Sequence, residues 1–339
     1  LFRRTVQTLI TAMRPLSLDE LGVAVGDPEG IQGIIKQDLA EVIKSKNGGG
    51  LMFSDPTAME FLLEALPHER SPYWVGRERP HQILLNSCIY VLLRATASRH
   101  DSFLRYAAVN WVDHYHALGF GDVGFAAVAQ VKKVFQDFRN WFPISWAAAN
   151  PSTPLPSGFT SVMVAAYLGF GNVIRHMMPL DDERSKLVDA QDESGATALY
   201  YAAKNGHAYT VQFLLLCDAS LRSGDHHGRT PIHVASICGH AAVLKSIIRS
   251  GDCTALDINR QDSFGATPLH CAVKSGQGAA VAVLVSASAD VNARDHESRT
   301  PLHHAVLRGD EHILEALLQN DDADPEIVDR EGNTPIMLA

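Results

Sequence analysis

The chain has 339 residues, 46% of them hydrophobic and 20% charged, with 29 basic and 38 acidic side chains for a net charge of −9. That is roughly two domains' worth of chain, enough to bury a core without disulfides or metals. No apolar run approaches the ~18 residues of a membrane helix, so no membrane span is expected. The five cysteines (Cys88, Cys217, Cys238, Cys253, Cys271) are scattered and never spaced C-x-x-C. This disfavours a zinc ribbon or a secreted disulfide framework and favours a reduced, cytoplasmic setting.

Charge is unevenly placed. Residues 1–157 hold 15 basic and 15 acidic groups, so residues 158–339 carry the whole excess. An acidic half repels phosphate backbones, and nucleic acid is not the expected partner. Leu1 is not an initiator Met and no signal-peptide pattern follows it, so the expectation is a piece of a longer polypeptide.

In chain order, Ser17-Leu-Asp-Glu20 is a capping box that predicts a short helix to about Val25. Ile31, Ile34, Ile35, Leu39, Val42 and Ile43 share one helical face. Gly48-Gly-Gly50 interrupts it before a short strand around Leu51-Met-Phe53. Further helices are predicted over Thr57–Leu66, His81–Thr96, Ser102–Leu118 and Val123–Trp141. The proline-rich stretch Asn150–Pro156 reads as a linker.

Beyond it a phrase repeats. Thr160, Thr197, Thr230, Thr267, Thr300 and Thr334 step by 37, 33, 37, 33 and 34 residues, each preceded by Gly-x or Ser-x. Thr230-Pro-Ile-His233, Thr267-Pro-Leu-His270 and Thr300-Pro-Leu-His303 follow, with Thr197-Ala-Leu-Tyr200 as a weaker copy. Thr ahead of Pro caps a helix whose first turn tolerates Pro. Ala202-Ala203 lets two helices approach, and Gly206, Gly239 and Gly276 are placed to end the first helix in the left-handed conformation. Leu214-Leu215, Ile247-Ile248 and Leu317-Leu318 supply the second helix's buried face. Such a hairpin cannot bury its own apolar side and must stack on its neighbours. The two 37-residue steps place extra loop residues in Met178–Asp189 and Gly251–Ile258.

This register resembles the ankyrin repeat, five copies and part of a sixth over residues 158–339. A second resemblance lies upstream. Arg14-Pro-Leu-Ser-Leu-Asp-Glu-Leu21 looks like the start of the winged-helix segment that follows the NACHT nucleotide-binding domain in fungal signalling ATPases. Phe53-Ser-Asp-Pro-Thr-Ala-Met-Glu-Phe-Leu62 fits the next phrase of that segment, with Asp55 where the family has His. Cys88-Ile-Tyr-Val-Leu92, Leu104-Arg-Tyr-Ala-Ala108, Trp111 and His114 resemble the helical stretch beyond it. Together these imply a mainly α fold. A winged-helix-like segment over 1–66 and a helical domain over 67–149 lead through a linker at 150–157 to the ankyrin solenoid.

Chemistry-bearing motifs are sparse. A phosphate-cradling Gly-x-x-x-x-Gly-Lys-Ser/Thr loop is absent, with no Gly-Lys dipeptide anywhere, so a nucleotide-binding domain of the same polypeptide would lie upstream of Leu1. Gly119-Phe-Gly121-Asp-Val-Gly124 spells the dinucleotide fingerprint, but it sits between predicted helices rather than after a strand, and reads as a corner. His233, His270 and His303 belong to the repeat phrase, where the ankyrin resemblance implies structural hydrogen bonds. His226, His227, His296, His114 and His116 lack zinc-ligand spacing. There is no Gly-x-Ser-x-Gly elbow, and Cys217 and Cys271 fall where small buried hydrophobes belong. No catalytic, cofactor or metal residue is assigned. Asp310–Glu331, with nine carboxylates and one Arg, reads as a solvated face.

The expected function is non-enzymatic protein recognition, as the ligand-sensing or scaffold arm of a fungal-type NACHT–ankyrin signalling protein. Two alternatives stay open: a DNA-binding winged-helix regulator, and an enzyme or enzyme accessory with a pocket around Asp113, His114, Tyr115 and His116. For the first reading the partner site is the concave surface of the stack, made of hairpin fingertips and exposed first-helix positions. The fingertip candidates are Gln191, Glu193, His226, His227, Arg229, Arg260, Phe264, Arg294, His296, Glu297 and Arg299. Lys204, Lys274 and Arg308 adjoin them on the helices. Phe264 with Arg229, Arg260, Arg294 and Arg299 forms the expected centre, a positive strip for an acidic partner. The competing reading pairs these arginines with Asp225, Asp262 and Asp295.

Overall fold

The computed structural model describes Leu21, residues 43–45 and 51–53, Cys88, Leu92, and residues 107–112, 125–178 and 183–339. The chain divides into two compact units, Leu1–Leu155 and Pro156–Ala339.

In the first unit, strands β1 (Ile43–Ser45) and β2 (Leu51–Phe53) pair antiparallel, with Ile43 opposite Phe53 and Ser45 opposite Leu51. The strand at Leu51–Phe53 is as expected. Ile43, placed by its spacing on a helical face, is instead extended; a β-branched residue is well suited to a strand. Leu21, Cys88, Leu92 and residues 107–112 are helical, within helices that the sequence predicts. Thr57–Leu66, the Gly119–Gly124 corner and the residues Asp113, His114, Tyr115 and His116 lie outside the described residues.

The single helix expected over Val123–Trp141 is broken. Helix α1 (Phe125–Gln136) ends before a 3-10 turn at Phe138–Asn140, and α2 (Phe142–Ala149) follows. Pro143, in the first turn of α2, has no N–H to donate to the carbonyl one turn back, at Arg139, and suits the start of a new helix there. Trp111, Phe135, Trp141 and Phe142 are fully buried. Trp111 meets Phe135 and Trp141 edge-on at 5.7 and 5.5 Å between ring centroids. The Trp141 indole N–H donates to the Val134 carbonyl at 2.9 Å.

The second unit is a stack of helix pairs: α3 (Ser161–Tyr167) with α4 (Gly171–Met177), α6 (Ala198–Lys204) with α7 (Ala208–Leu215), and α8 (Pro231–Ile237) with α9 (Ala241–Ile248). Two more follow, α11 (Pro268–Lys274) with α12 (Gly278–Ser286) and α13 (Pro301–Arg308) with α14 (Glu311–Leu318), before a 3-10 turn at Pro335–Leu338. First helices pack on first helices and second on second, giving two layers. The two longer connections are not plain loops. They wind into α5 (Glu183–Val188) and α10 (Ala255–Ile258).

Local chemistry explains the pairs. Thr160 and Thr197 accept from the backbone N–H three residues on, at 3.2 and 3.3 Å, and each satisfies an orphan donor of the first turn. Gly206 has φ +80°, and a Cβ there would lie 2.8 Å from the His240 ring, so both conformation and space demand glycine. That ring earns its place across repeats, since His240 Nε2 meets the Lys204 carbonyl at 3.0 Å, as His207 Nε2 meets Tyr167 at 2.9 Å.

Candidate protein-interaction surface

Five fingertips of the second unit are built on a buried aspartate three residues before the repeated Gly or Ser: Asp192, Asp225, Asp262, Asp295 and Asp329. In all five, Oδ1 accepts backbone N–H groups from two and four residues ahead, at 2.8–3.0 Å. The aspartate N–H also donates to the carbonyl four residues on. This locks the hairpin tip. Single backbone bonds then tie tip to tip: Glu193 N–H to Ser157 O, His226 to Ser194, Ser263 to His227, His296 to Phe264 and Arg330 to Glu297, at 2.8–3.0 Å. An Asp at one fixed offset in five successive copies is the sequence signal for this row, one that reading Asp225, Asp262 and Asp295 as arginine partners leaves unused.

Beneath the tips runs a ladder of Thr–His pairs. His233, His270 and His303 accept the Thr230, Thr267 and Thr300 backbone N–H at Nδ1, 3.1–3.2 Å away. Nε2 therefore carries the proton and donates to the carbonyls of Ala266, Arg299 and Asn333 in the next repeat, at 3.0–3.2 Å. Burial holds the His233 pKa below its usual value and that of His270 down to about 4. The structural role expected for these histidines is what the geometry shows. In the copy with Tyr200 in place of His, the Tyr200 hydroxyl donates to Asp225 at 3.0 Å, and neighbouring Tyr201 donates to Asp192 at 2.6 Å. Burial and these carboxylates push both phenols' pKa values up.

The candidate surface residues divide into held and unheld groups. Arg229 pairs with Asp225 through Nε and Nη2, both at 2.9 Å. Burial alone would raise the Asp225 pKa, but the Arg229 backbone and side-chain bonds bring it below the usual value. Arg299 lies between Glu297 at 2.7 Å and Asp329 at 3.5 Å. Arg294 donates to the carbonyls of Val328 (2.7 Å) and Ser298 (3.3 Å), and Arg308 to that of Lys274 (3.0 Å). Lys274 and His304 both bond Asp295 Oδ2, at 3.2 and 2.8 Å. Burial works against ionisation of Asp295, yet these bonds and the Arg299 N–H lower its pKa to about 2. Glu193 is exposed and bonded to the Ser157 hydroxyl, which lowers its pKa.

Gln191, Lys204, His226, His296 and Arg260 are exposed. Phe264 is 59% exposed and lies flat against His227, ring centroids 6.0 Å apart and planes 25° apart. Of the pairings in the competing reading, Arg229–Asp225 forms. Asp295 takes Lys274 and His304 instead of an arginine, and no cation lies within salt-bridge reach of Asp262 among the described residues. Cys217 and Cys271 are buried, and burial pushes the Cys271 thiol up to about 12. Among the described residues no three His, Cys, Asp or Glu side chains converge as metal ligands, and no helix is long and apolar enough to cross a membrane.

Stacked helix pairs with aspartate-locked tips and a Thr–His ladder define a repeat protein of the recognition type. Two family models, both described as ankyrin repeats, match this chain, one over residues 130–223, 162–262 and 210–295, the other over 279–318. Between them they span more than half of it, and the chain belongs to the ankyrin-repeat proteins. The first match begins within α1, upstream of Gly158. Human ankyrin repeat domain-containing protein 63 is 34% identical over 127 residues, 38% of this chain and 33% of that protein. Neurogenic locus notch homolog protein 1 of Xenopus tropicalis is 30% identical over 146 residues, 40% of this chain and 6% of that protein. Mouse NF-kappa-B inhibitor delta is 36% identical over 86 residues, 25% of this chain and 26% of that protein. The chain thus spans a third or less of these relatives.

Proposed function

We propose that this chain recognises a protein ligand, without catalysis, through the fingertips around Phe264. The observation that carries the reading is the rigid tip at Phe264, an exposed aromatic stacked on His227 two residues from a buried, turn-locking aspartate. Aromatic and arginine side chains on a preorganised frame are the usual hot spots of interfaces. Arg260, exposed and outside every ion pair described above, is the arginine of this site. Arg229, Arg294 and Arg299, committed to neighbouring groups, position the tips. Ankyrin repeats as a class support protein binding, and the named relatives are consistent with it.

The wider setting is that of a cytoplasmic, fungal-type NACHT–ankyrin signalling protein. There the repeats sense a ligand and the winged-helix-like N-terminal region couples that event to a nucleotide-binding domain elsewhere in the polypeptide. The motif phrases at Arg14–Leu21 and Phe53–Leu62 support this, and so does the short β1–β2 pair. A parent polypeptide without a Gly-x-x-x-x-Gly-Lys-Ser/Thr loop refutes the setting while leaving the binding role intact.

The site is tested by replacing Phe264 with a photo-crosslinking phenylalanine analogue, identifying the captured protein, and measuring its affinity for purified chain. Arg260→Ala with Phe264→Ala is expected to weaken binding about 100-fold or more. Unchanged affinity with an unchanged thermal midpoint refutes the site.

A further inference from the structure

The second-helix layer carries a recess that shares no residue with the fingertips or the first helices. Two adjoining pockets, of about 350 and 410 Å³, meet at Leu215 and Asp252 and form one groove. It exists because of the residues that lengthen this repeat. Helix α7 stops at Leu215, and Asp218 takes φ +64° to turn the chain. Opposite, the Gly251–Ile258 segment is wound into α10 and held there. Asp257 Oδ2 accepts the Thr254 N–H at 3.0 Å and its hydroxyl at 2.7 Å, while Oδ1 takes Arg222 Nε at 3.0 Å. The groove is therefore preformed rather than opened by a ligand.

Its surface has features that packing does not require. Leu215, Ala219 and Leu221 give it an apolar lining. Leu216, also part of the lining, is 78% exposed. Apolar side chains displayed at a recess with a polar rim mark a surface for another protein. The rim's charge sets what that protein presents. Arg222 is already engaged by Asp257, which leaves Asp218 and Asp252 against the single cation Arg249. Asp189 stands just behind, accepting the Ser220 N–H at 2.9 Å. A net negative, leucine-bordered groove repels phosphates and complements a cation.

We infer that this groove is a second docking site, for a protein segment that presents an aliphatic side chain flanked by lysine or arginine. It is independent of the fingertip site and stands or falls without it.

The probe is a fluorescein-labelled 12-residue peptide of leucine and lysine in amphipathic order, titrated with the full chain at 150 mM salt and read by anisotropy. The variant Leu216→Asp/Asp252→Lys is expected to weaken binding at least about tenfold. Phe264→Ala at the fingertip and Asp321→Lys/Asp322→Lys at the acidic end are expected to leave it unchanged. Both groove residues are exposed, so the fold tolerates the change; if the double variant loses its helical circular dichroism, Asp252→Lys alone is read instead. The proposal is overturned by any of five results. The peptide fails to bind. The groove variant binds as well as the parent. The Asp321/Asp322 variant loses as much, which would make the attraction one of bulk charge. Or the same peptide with glutamate for lysine binds equally. Sedimentation that shows the parent as a dimer and Leu216→Asp as a monomer also overturns it, by giving the groove to a second copy.

Discussion

Acidification probes the Thr–His ladder directly, and His270 is the rung where the effect can be sized. Its ring is buried, Nδ1 accepts from Thr267, and Nε2–H donates to the Arg299 carbonyl. A second ring proton on Nδ1 would face the Thr267 N–H and lose that bond, leaving only the Thr267 hydroxyl oxygen, 2.9 Å away, to accept it. Burial is the main cause that brings this pKa from 6.5 to about 4, and the neighbouring His304 ring, 5.8 Å away, pushes the same way. The unfolded chain takes up the proton more readily than the folded one. The neutral ring's contribution is therefore fully present above pH ~6.5 and lost as pH falls towards 4. At 1.36 kcal/mol per pKa unit, the loss from this one group is about 3 kcal/mol. His233 and His304 are shifted in the same direction by burial, so the whole chain loses more. Asp225, Asp257 and Asp295 have lowered pKa values, and their contributions fade only below about pH 4. The window between 6.5 and 4 thus belongs to the histidines. Urea unfolding of the parent and of His270→Gln at pH 7.5, 6, 5 and 4 isolates the group. The gap between them is expected to shrink by about 3 kcal/mol over that range. A gap that stays constant refutes the neutral, doubly bonded ring.

Two other substitutions act on single strained or unsatisfied groups. Thr210 in α7 is fully buried and its hydroxyl has no hydrogen-bond partner among the described residues, so Thr210→Val, of the same shape, should raise stability by about 1 kcal/mol in a urea titration; a loss would mean the hydroxyl is satisfied. Ser298 sits at φ +59° where the other fingertips have glycine, and Ser298→Gly should gain about 0.5–1 kcal/mol, read as a higher thermal midpoint.

Much of the second unit was legible because its signals are local and recur. The Thr-Pro-x-His phrase sets the cap and the ladder, and Gly206, Gly239 and Gly276 each sit where a side chain of the next repeat passes close by. What escaped is mostly non-local. Arg294 reaches the Val328 carbonyl and Arg308 that of Lys274, each across about one repeat, and no spacing along the chain reveals which cation another repeat holds. Some misses were avoidable. The fingertip aspartates keep strict register, but from sequence Asp225, Asp262 and Asp295 are read only as partners for nearby arginines. The extra residues at Gly251–Ile258 were placed correctly, yet their helix needs Thr254 to cap it and Asp257 to bond back, with Arg222 fixing it from another repeat.

The aspartate row also changes what the acidity of this half means, and one comparison tests it. Five of the carboxylates that make up its excess are buried and bond backbone N–H groups, so they are turn anchors before they are surface charge. They are not equivalent. Asp262 uses Oδ1 for the Phe264 and Ala266 N–H groups at 2.9 Å, and no described cation pairs with it. Asparagine keeps a carbonyl oxygen there, so Asp262→Asn should cost less than about 1 kcal/mol. Asp295 uses Oδ1 in the same way, but its Oδ2 takes Lys274 and His304. An amide NH₂ in that place would set donor against donor at His304 and leave Lys274 without its anion. Because the Lys274 side chain is 40% exposed, water recovers part of its share, and Asp295→Asn should cost about 2–3 kcal/mol. The two variants, compared by urea unfolding at pH 7.5, should therefore differ by about 2 kcal/mol. Equal losses would mean that the cluster around Asp295 adds nothing to the turn, and that Lys274 is as available to a partner as Arg260.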